Sequence, residues 1–129
     1  MRAIRFHRQG PPSVLQLDDI PEPGPPGPGQ ILLDVHAAGV NHLDIWCRRE
    51  VPGITVPRIP GGDAAGVVRA TGEGVTHVQP GDRVLLDPGY SCGACPACKR
   101  GEASLCPDYG ILGESCDGTY CETLLHSAS

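Results

Sequence analysis

The sequence predicts a mainly β domain, a barrel or sandwich of short strands, with one or two short helices and a small metal-binding lobe. Three observations predict it. Short apolar runs with partial alternation recur between Gly- and Pro-rich turn signals along most of the 129 residues. A single segment, 41–49, spaces apolar residues helically. Around residues 88–109 the alternation stops, and four cysteines stand where strands would be expected.

Segments 2–6 and 14–20 each read as a short strand, separated by the turn-forming Gln9-Gly10-Pro11-Pro12, and so form a hairpin or meander. The run from Pro21 to Gly29 alternates prolines, which lack a donor, with glycines, which favour no single conformation; it reads as an exposed link. Residues 30–38 form the next strand. In 41–49, Leu43, Ile45, Trp46 and Cys47 supply an apolar side, with Trp46 expected in the core. Asn41 suits the N-cap, and Asp44, three residues on, is placed to reach back to it and to favour the positive end of the helix dipole. Prolines at 52, 57 and 60 end regular structure. A buried strand follows at 64–70, then a turn at Gly72-Glu73-Gly74, an extended piece at 75–78, a turn at Pro80-Gly81-Asp82, a strand at 83–87 and a closing strand at 118–125.

The length fits one domain. Eighteen glycines and 14 prolines make it turn-rich, and 40% hydrophobic residues make it foldable. With one Trp, one Phe and three Tyr, the core must come from Val, Leu, Ile and Ala. Ten basic against fifteen acidic residues, a formal charge of −5, argue against a nucleic-acid partner. No run reaches the ~20 apolar residues of a membrane span, and the start lacks a signal-peptide core. A cytosolic location is expected.

Cys92, Cys95, Cys98 and Cys106 are spaced C-x2-C-x2-C-x7-C. Four soft ligands this close in sequence can close a tetrahedron on zinc at about 2.3 Å per bond without help from the rest of the fold. With four thiolates no position is left for water or substrate, so one structural zinc per chain is expected. Unligated or oxidised cysteines are the plain alternative. An iron–sulfur cluster is the sharper one, because ferredoxins also open with C-x2-C-x2-C and follow their last Cys with Pro, as in Cys106-Pro107. Their last gap is shorter, and Cys47, Cys116 and Cys121 do not form a second cluster motif. Those three read as small buried hydrophobes.

Ala38-Gly39-Val40-Asn41-His42-Leu43-Asp44, Gly61-Gly62-Asp63-Ala64-Ala65-Gly66 with Gly72 and Val75 after it, Pro80-Gly81-Asp82-Arg83-Val84 and the four-cysteine lobe occur in one order and spacing. Taken together they resemble the medium-chain dehydrogenases and reductases, which include zinc alcohol dehydrogenases and zinc-free quinone oxidoreductases. The resemblance covers nearly the whole chain. It implies a GroES-like β-barrel that shapes the substrate side of an active-site cleft, followed in the complete enzyme by a Rossmann domain for NAD or NADP. No cofactor-binding residue is assigned here, because Gly72-x-Gly74 lacks the third glycine of the phosphate fingerprint. Residues 1–129 are therefore expected to be part of a longer protein and inactive alone. The expected partners are a small-molecule carbonyl, alcohol or activated alkene and, in the complete protein, further copies of itself. The rival is a stand-alone zinc-stabilised GroES-like binding module without catalysis.

In the zinc dehydrogenases that the chain resembles, the catalytic metal takes a Cys and a His where this sequence has Asn41 and Gly62, with Asp63 replacing a Glu. Glycine offers no ligand and Asn is a poor one, so a catalytic zinc of the usual kind is not expected. The proton-relaying hydroxyl falls at Leu43. The Asn pattern is closer to the quinone reductases, the cysteine lobe to the alcohol dehydrogenases. Asn41 reads equally as a helix cap and as a hydrogen-bond donor to a substrate carbonyl; it and Asp44 are the candidate catalytic residues, Asp44 reading also as cap. His42 reads as exposed or as an approach to a cofactor phosphate.

Overall fold

The structure, a computed structural model, describes residues 1–128. Strand β1 (Arg2–Phe6) and β2 (Leu15–Asp19) form the expected antiparallel hairpin, with Phe6 opposite Leu15. A 3-10 turn, Pro12–Val14, takes the start of the predicted second strand and puts Val14 into the core. After the Pro/Gly link come β3 (Gln30–Ala38), helix α1 (His42–Arg49), β4 (Ala64–Thr71) and β5 (Arg83–Leu86). Residues 75–78 run as loop. The last strand, β8 (Thr123–Ser127), starts five residues later than the sequence pattern placed it and runs two residues further. It lies beside β3 in an antiparallel sheet ordered β5-β4-β3-β8.

Single bridges join the hairpin to the rest: Ala3 pairs with Cys121 and Phe6 with Arg58. The buried core draws on both: Phe6 from the hairpin, Ile31, Leu33, Val68 and Leu124 from the sheet, with Ile59 and Leu112. As the composition required, it is mostly aliphatic. Cys47 is fully buried, and Cys116 and Cys121 pack against the cluster of Leu33, Ala64, Leu86, Leu112 and Leu124. Burial pushes the Cys47 and Cys121 thiols up to about 11 and raises Cys116 as well, so none is an activated nucleophile.

Helix α1 reverses part of its predicted packing. Its buried residues are Asp44, Cys47 and Arg48, which are three and four apart and so share one face, while Ile45 is open and Trp46 is 50% exposed, beside the His42 ring at 6.0 Å. Hydrogen bonding decides which side goes in. Arg48 donates to the Gly10 carbonyl, Gln9 Nε2 donates to the Cys47 and Val51 carbonyls at 2.8 Å each, and Gly10 N donates to the Arg48 carbonyl at 2.8 Å. The turn after β1 thus satisfies carbonyls that the end of a helix leaves open. Polar residues buried in this way carry no desolvation penalty large enough to turn the helix over.

Candidate functional site

Two groups of chemistry-bearing residues stand out. The first is the lobe between β5 and β8. Its neck is a two-stranded ribbon that the sequence pattern does not reveal, β6 (Gly89–Tyr90) paired with β7 (Gly110–Ile111). Beyond the neck, α2 (Pro96–Lys99) is capped by Cys95, and a 3-10 turn, Ala103–Leu105, delivers Cys106. Pro96 opens α2, where its missing donor costs nothing. Gly93 takes φ +67°, so the chain turns back on itself between Cys92 and Cys95.

All four sulfurs lie within 4.8 Å of one another, with Cys95–Cys98 and Cys92–Cys106 at 3.5 Å and Cys92–Cys98 at 3.9 Å. A tetrahedron of ~2.3 Å zinc–sulfur bonds has edges of about 3.8 Å, so the donor set fits a structural metal. Backbone N–H groups already point at the sulfurs: Cys95 N at Cys92 (3.3 Å), Cys98 N at Cys95 (3.5 Å), and Cys92 N and Asp108 N at Cys106 (3.5 and 3.3 Å). Such donors favour thiolate. Ser91 Oγ, 3.4 Å from Cys98, and then Cys95 and Cys106 bring the Cys98 thiol down to about 6. The Cys92 thiol is lowered by the N–H groups of Ala94 and Cys95. The Cys92 N–H pulls Cys106 the same way, yet burial and proton donation to Cys92 and Cys98 outweigh it and push Cys106 up to about 11. Without a metal, four neighbouring sulfurs cannot all ionise; a dication is what makes that possible.

The second group lies at the start of α1. Asn41 caps the helix in extended conformation (φ −117°, ψ 161°), and Asp44 reaches back as the spacing predicts, Oδ2 accepting from Asn41 N at 2.7 Å. The buried carboxylate does more. Oδ1 accepts from Gly61 N at 2.9 Å, and Oδ2 also accepts from the Tyr120 hydroxyl at 2.9 Å. Asn41 Nδ2 donates to Asp63 Oδ2 at 2.7 Å. Asp63 is in turn held by its own carbonyl, which accepts from Gly39 N at 3.1 Å and from Thr119 Oγ1 at 3.0 Å.

Gly61 has φ +101°, and a Cβ there would come within 2.4 Å of Thr119 Oγ1 and 2.5 Å of the Tyr120 ring. Gly62 differs. A Cβ would make ordinary contacts with Pro88 Cβ at 3.4 Å and the Leu112 carbonyl at 3.8 Å, so a methyl would fit where none is supplied.

A family model, the alcohol dehydrogenase GroES-like domain, matches residues 27–129. The chain belongs to that family. This GroES-like domain is 37% identical over 136 residues to an alcohol dehydrogenase of Moraxella sp. (strain TAE123), a match that takes in all of this chain and 38% of the relative. Among solved structures it resembles an NAD-dependent alcohol dehydrogenase at 44% identity and TM-score 0.93, across 99% of this chain and 38% of that one. It also resembles a cobalt- and zinc-bound thermostable alcohol dehydrogenase from Pyrobaculum aerophilum, at 38% identity and TM-score 0.89, across 99% and 39%. The domain thus spans less than two fifths of the relatives it matches.

The four predicted metal ligands converge. Among the described residues they are the one group of three or more His, Cys, Asp or Glu placed to hold a metal together; His42 and Asp63 belong to no such group. Asn41 and Asp44 also meet, joined by residues that sequence reasoning missed: Gly61, Thr119 and Tyr120. Nothing in a single sequence ties 119–120 to residue 44, because the contact is made by folding across the chain. Gly72, one of the pair tested for a phosphate loop, instead lets β4 approach the Pro/Gly link, since its Cβ would fall 1.7 Å from the Gly27 carbonyl oxygen. The next regular element after it is β5.

Proposed function

We propose that this domain forms the substrate side of an NAD- or NADP-dependent oxidoreductase acting on a carbonyl, alcohol or activated alkene. The observation that carries the reading is the Asn41–Asp63 pair, 2.7 Å apart, at the exposed start of α1. A carboxamide nitrogen has two protons. Asp63 takes one, and the carboxylate strengthens the other as a donor to a substrate oxygen on which negative charge develops. Asn41 is the group that touches substrate, and Asp44 fixes its backbone. The nicotinamide, bound by another part of the protein, supplies or removes the hydride.

Cys92, Cys95, Cys98 and Cys106 hold one zinc per chain, which closes the lobe and takes no part in the reaction. No second zinc is needed at Asn41 and Gly62. The alcohol dehydrogenases that this chain resembles support the oxidoreductase reading. The complete enzyme is proposed to be cytoplasmic and to work as an assembly of like chains; among the described residues no helix is long and apolar enough to cross a membrane.

The test is turnover and metal content of the full-length protein. Asn41→Ala should lower kcat roughly 100- to 1000-fold, the scale of one lost transition-state donor, with zinc unchanged at one per chain. Two zinc ions per chain, with activity lost on mild chelation while the structural ion stays, would overturn the reading. A full-length protein that binds no nicotinamide cofactor would favour the binding module.

A further inference from the structure

We infer that Tyr120 is a positioning residue that aims the Asn41 carboxamide through the Asp44 carboxylate. The inference rests on the substrate-facing role proposed for Asn41. It starts from Asp44, a carboxylate only 9% exposed that receives three donors from three separate segments: Asn41 N and the Tyr120 hydroxyl on Oδ2, Gly61 N on Oδ1. With both oxygens engaged, its side chain is confined to one orientation. Since Asn41 N is one of its donors, the place where α1 begins is set by where Asp44 is held.

The segment carrying Tyr120 holds the other half of the site too. Thr119, fully buried, donates to the Asp63 carbonyl, and Asp63 receives the Asn41 side chain. Two consecutive residues therefore secure both ends of the Asn41–Asp63 pair, the backbone end through Tyr120 and Asp44, the carboxamide end through Thr119 and Asp63. The segment is itself pinned on both sides: Thr119 N donates to the Gly61 carbonyl at 3.0 Å, Tyr120 N to the Pro60 carbonyl at 3.1 Å, and Ile4 N to the Tyr120 carbonyl at 2.8 Å. Burial, and then Asp44, raise the phenol above the usual tyrosine range, which keeps it a donor at every pH where the enzyme would work. The Tyr120 ring rests on Gly61, where no Cβ intervenes, so removal of the hydroxyl alone leaves the packing in place.

The experiment is a double-mutant cycle with Tyr120→Phe and Asn41→Ala in the full-length protein, read as kcat and KM. Tyr120→Phe should lower kcat about tenfold or more with little change in KM, as a small misplacement of a reacting group does. In the Asn41→Ala background the same change should have almost no further effect. Equal effects in both backgrounds would overturn the inference, because Tyr120 would then act independently of Asn41.

A second measurement does not depend on catalysis. 15N-asparagine labelling of the full-length protein, with the Asn41 carboxamide identified by its loss in Asn41→Ala, follows this side chain directly. Tyr120→Phe, and separately Asp44→Ala, should shift its signal and speed its proton exchange. An unchanged signal in Tyr120→Phe would also overturn the inference. If Asn41→Ala leaves turnover intact while the signal moves, the catalytic role of Asn41 falls and the positioning by Tyr120 stands.

Discussion

The cysteine lobe and the Asn41 site are built on opposite plans. The lobe draws all its ligands from Cys92 to Cys106 and closes on itself through N–H···S contacts within this segment and to Asp108. The Asn41 site gathers residues 41–44, 61–63 and 119–120, and every bond that fixes it, apart from the cap itself, spans a large stretch of sequence. A local site draws its stability from a ligand, whereas a dispersed one draws it from the fold that assembles it. The two should therefore fail separately.

Cys106→Ser gives the largest effect. Apparent zinc affinities of such sites correspond to about 10–16 kcal/mol, and losing a ligand forfeits most of the folding energy of the lobe. Metal analysis should show zinc lost and hydrogen exchange should show residues 89–111 unprotected, while amides of β3 and β4 stay protected. Loss of protection in both places would break the comparison. Gly61→Ala should do the reverse. A positive φ and contacts of 2.4–2.7 Å with the 119–120 segment predict a loss of roughly 3–5 kcal/mol in unfolding free energy, read from denaturant titration, with zinc still bound.

Cys47→Ser puts a hydroxyl into a fully buried site and should cost about 1–2 kcal/mol with no change in zinc content, which separates structural thiols from ligands. Gly62→Ala should be smallest, within about 0.5 kcal/mol, because its Cβ meets only ordinary contacts. A large loss there would mean that residue 62 is constrained as tightly as its neighbour.

The same division governs what the amino-acid order made legible. Ligand spacing and the bounds of β1, β3 and β4 are local properties, and the structure agrees with them to within a residue. The cap at Asn41 and Asp44 is local as well. Which face of α1 turns inward is not: hydropathy favoured Trp46, but the partners offered by Gly10, Gly61 and Tyr120 brought Asp44 and Arg48 in. The neck strands escaped notice because two residues each are too short to show a period. The late start of β8 has a similar cause. Residues 118–120 are spent on hydrogen bonds to 59–61 before the chain is free to join β3.

At the base of the neck, Leu112 N donates to the Pro88 carbonyl at 2.9 Å, so the lobe leaves the sheet and returns to it at nearly one point. Such an excursion is a cassette. A short turn spliced from Pro88 to Leu112 could replace it without moving Leu112 from the core, and the same two ends could accept a foreign insert that brings its own fold. The cysteine lobe can thus be exchanged as a unit, on a different schedule from the residues around Asn41.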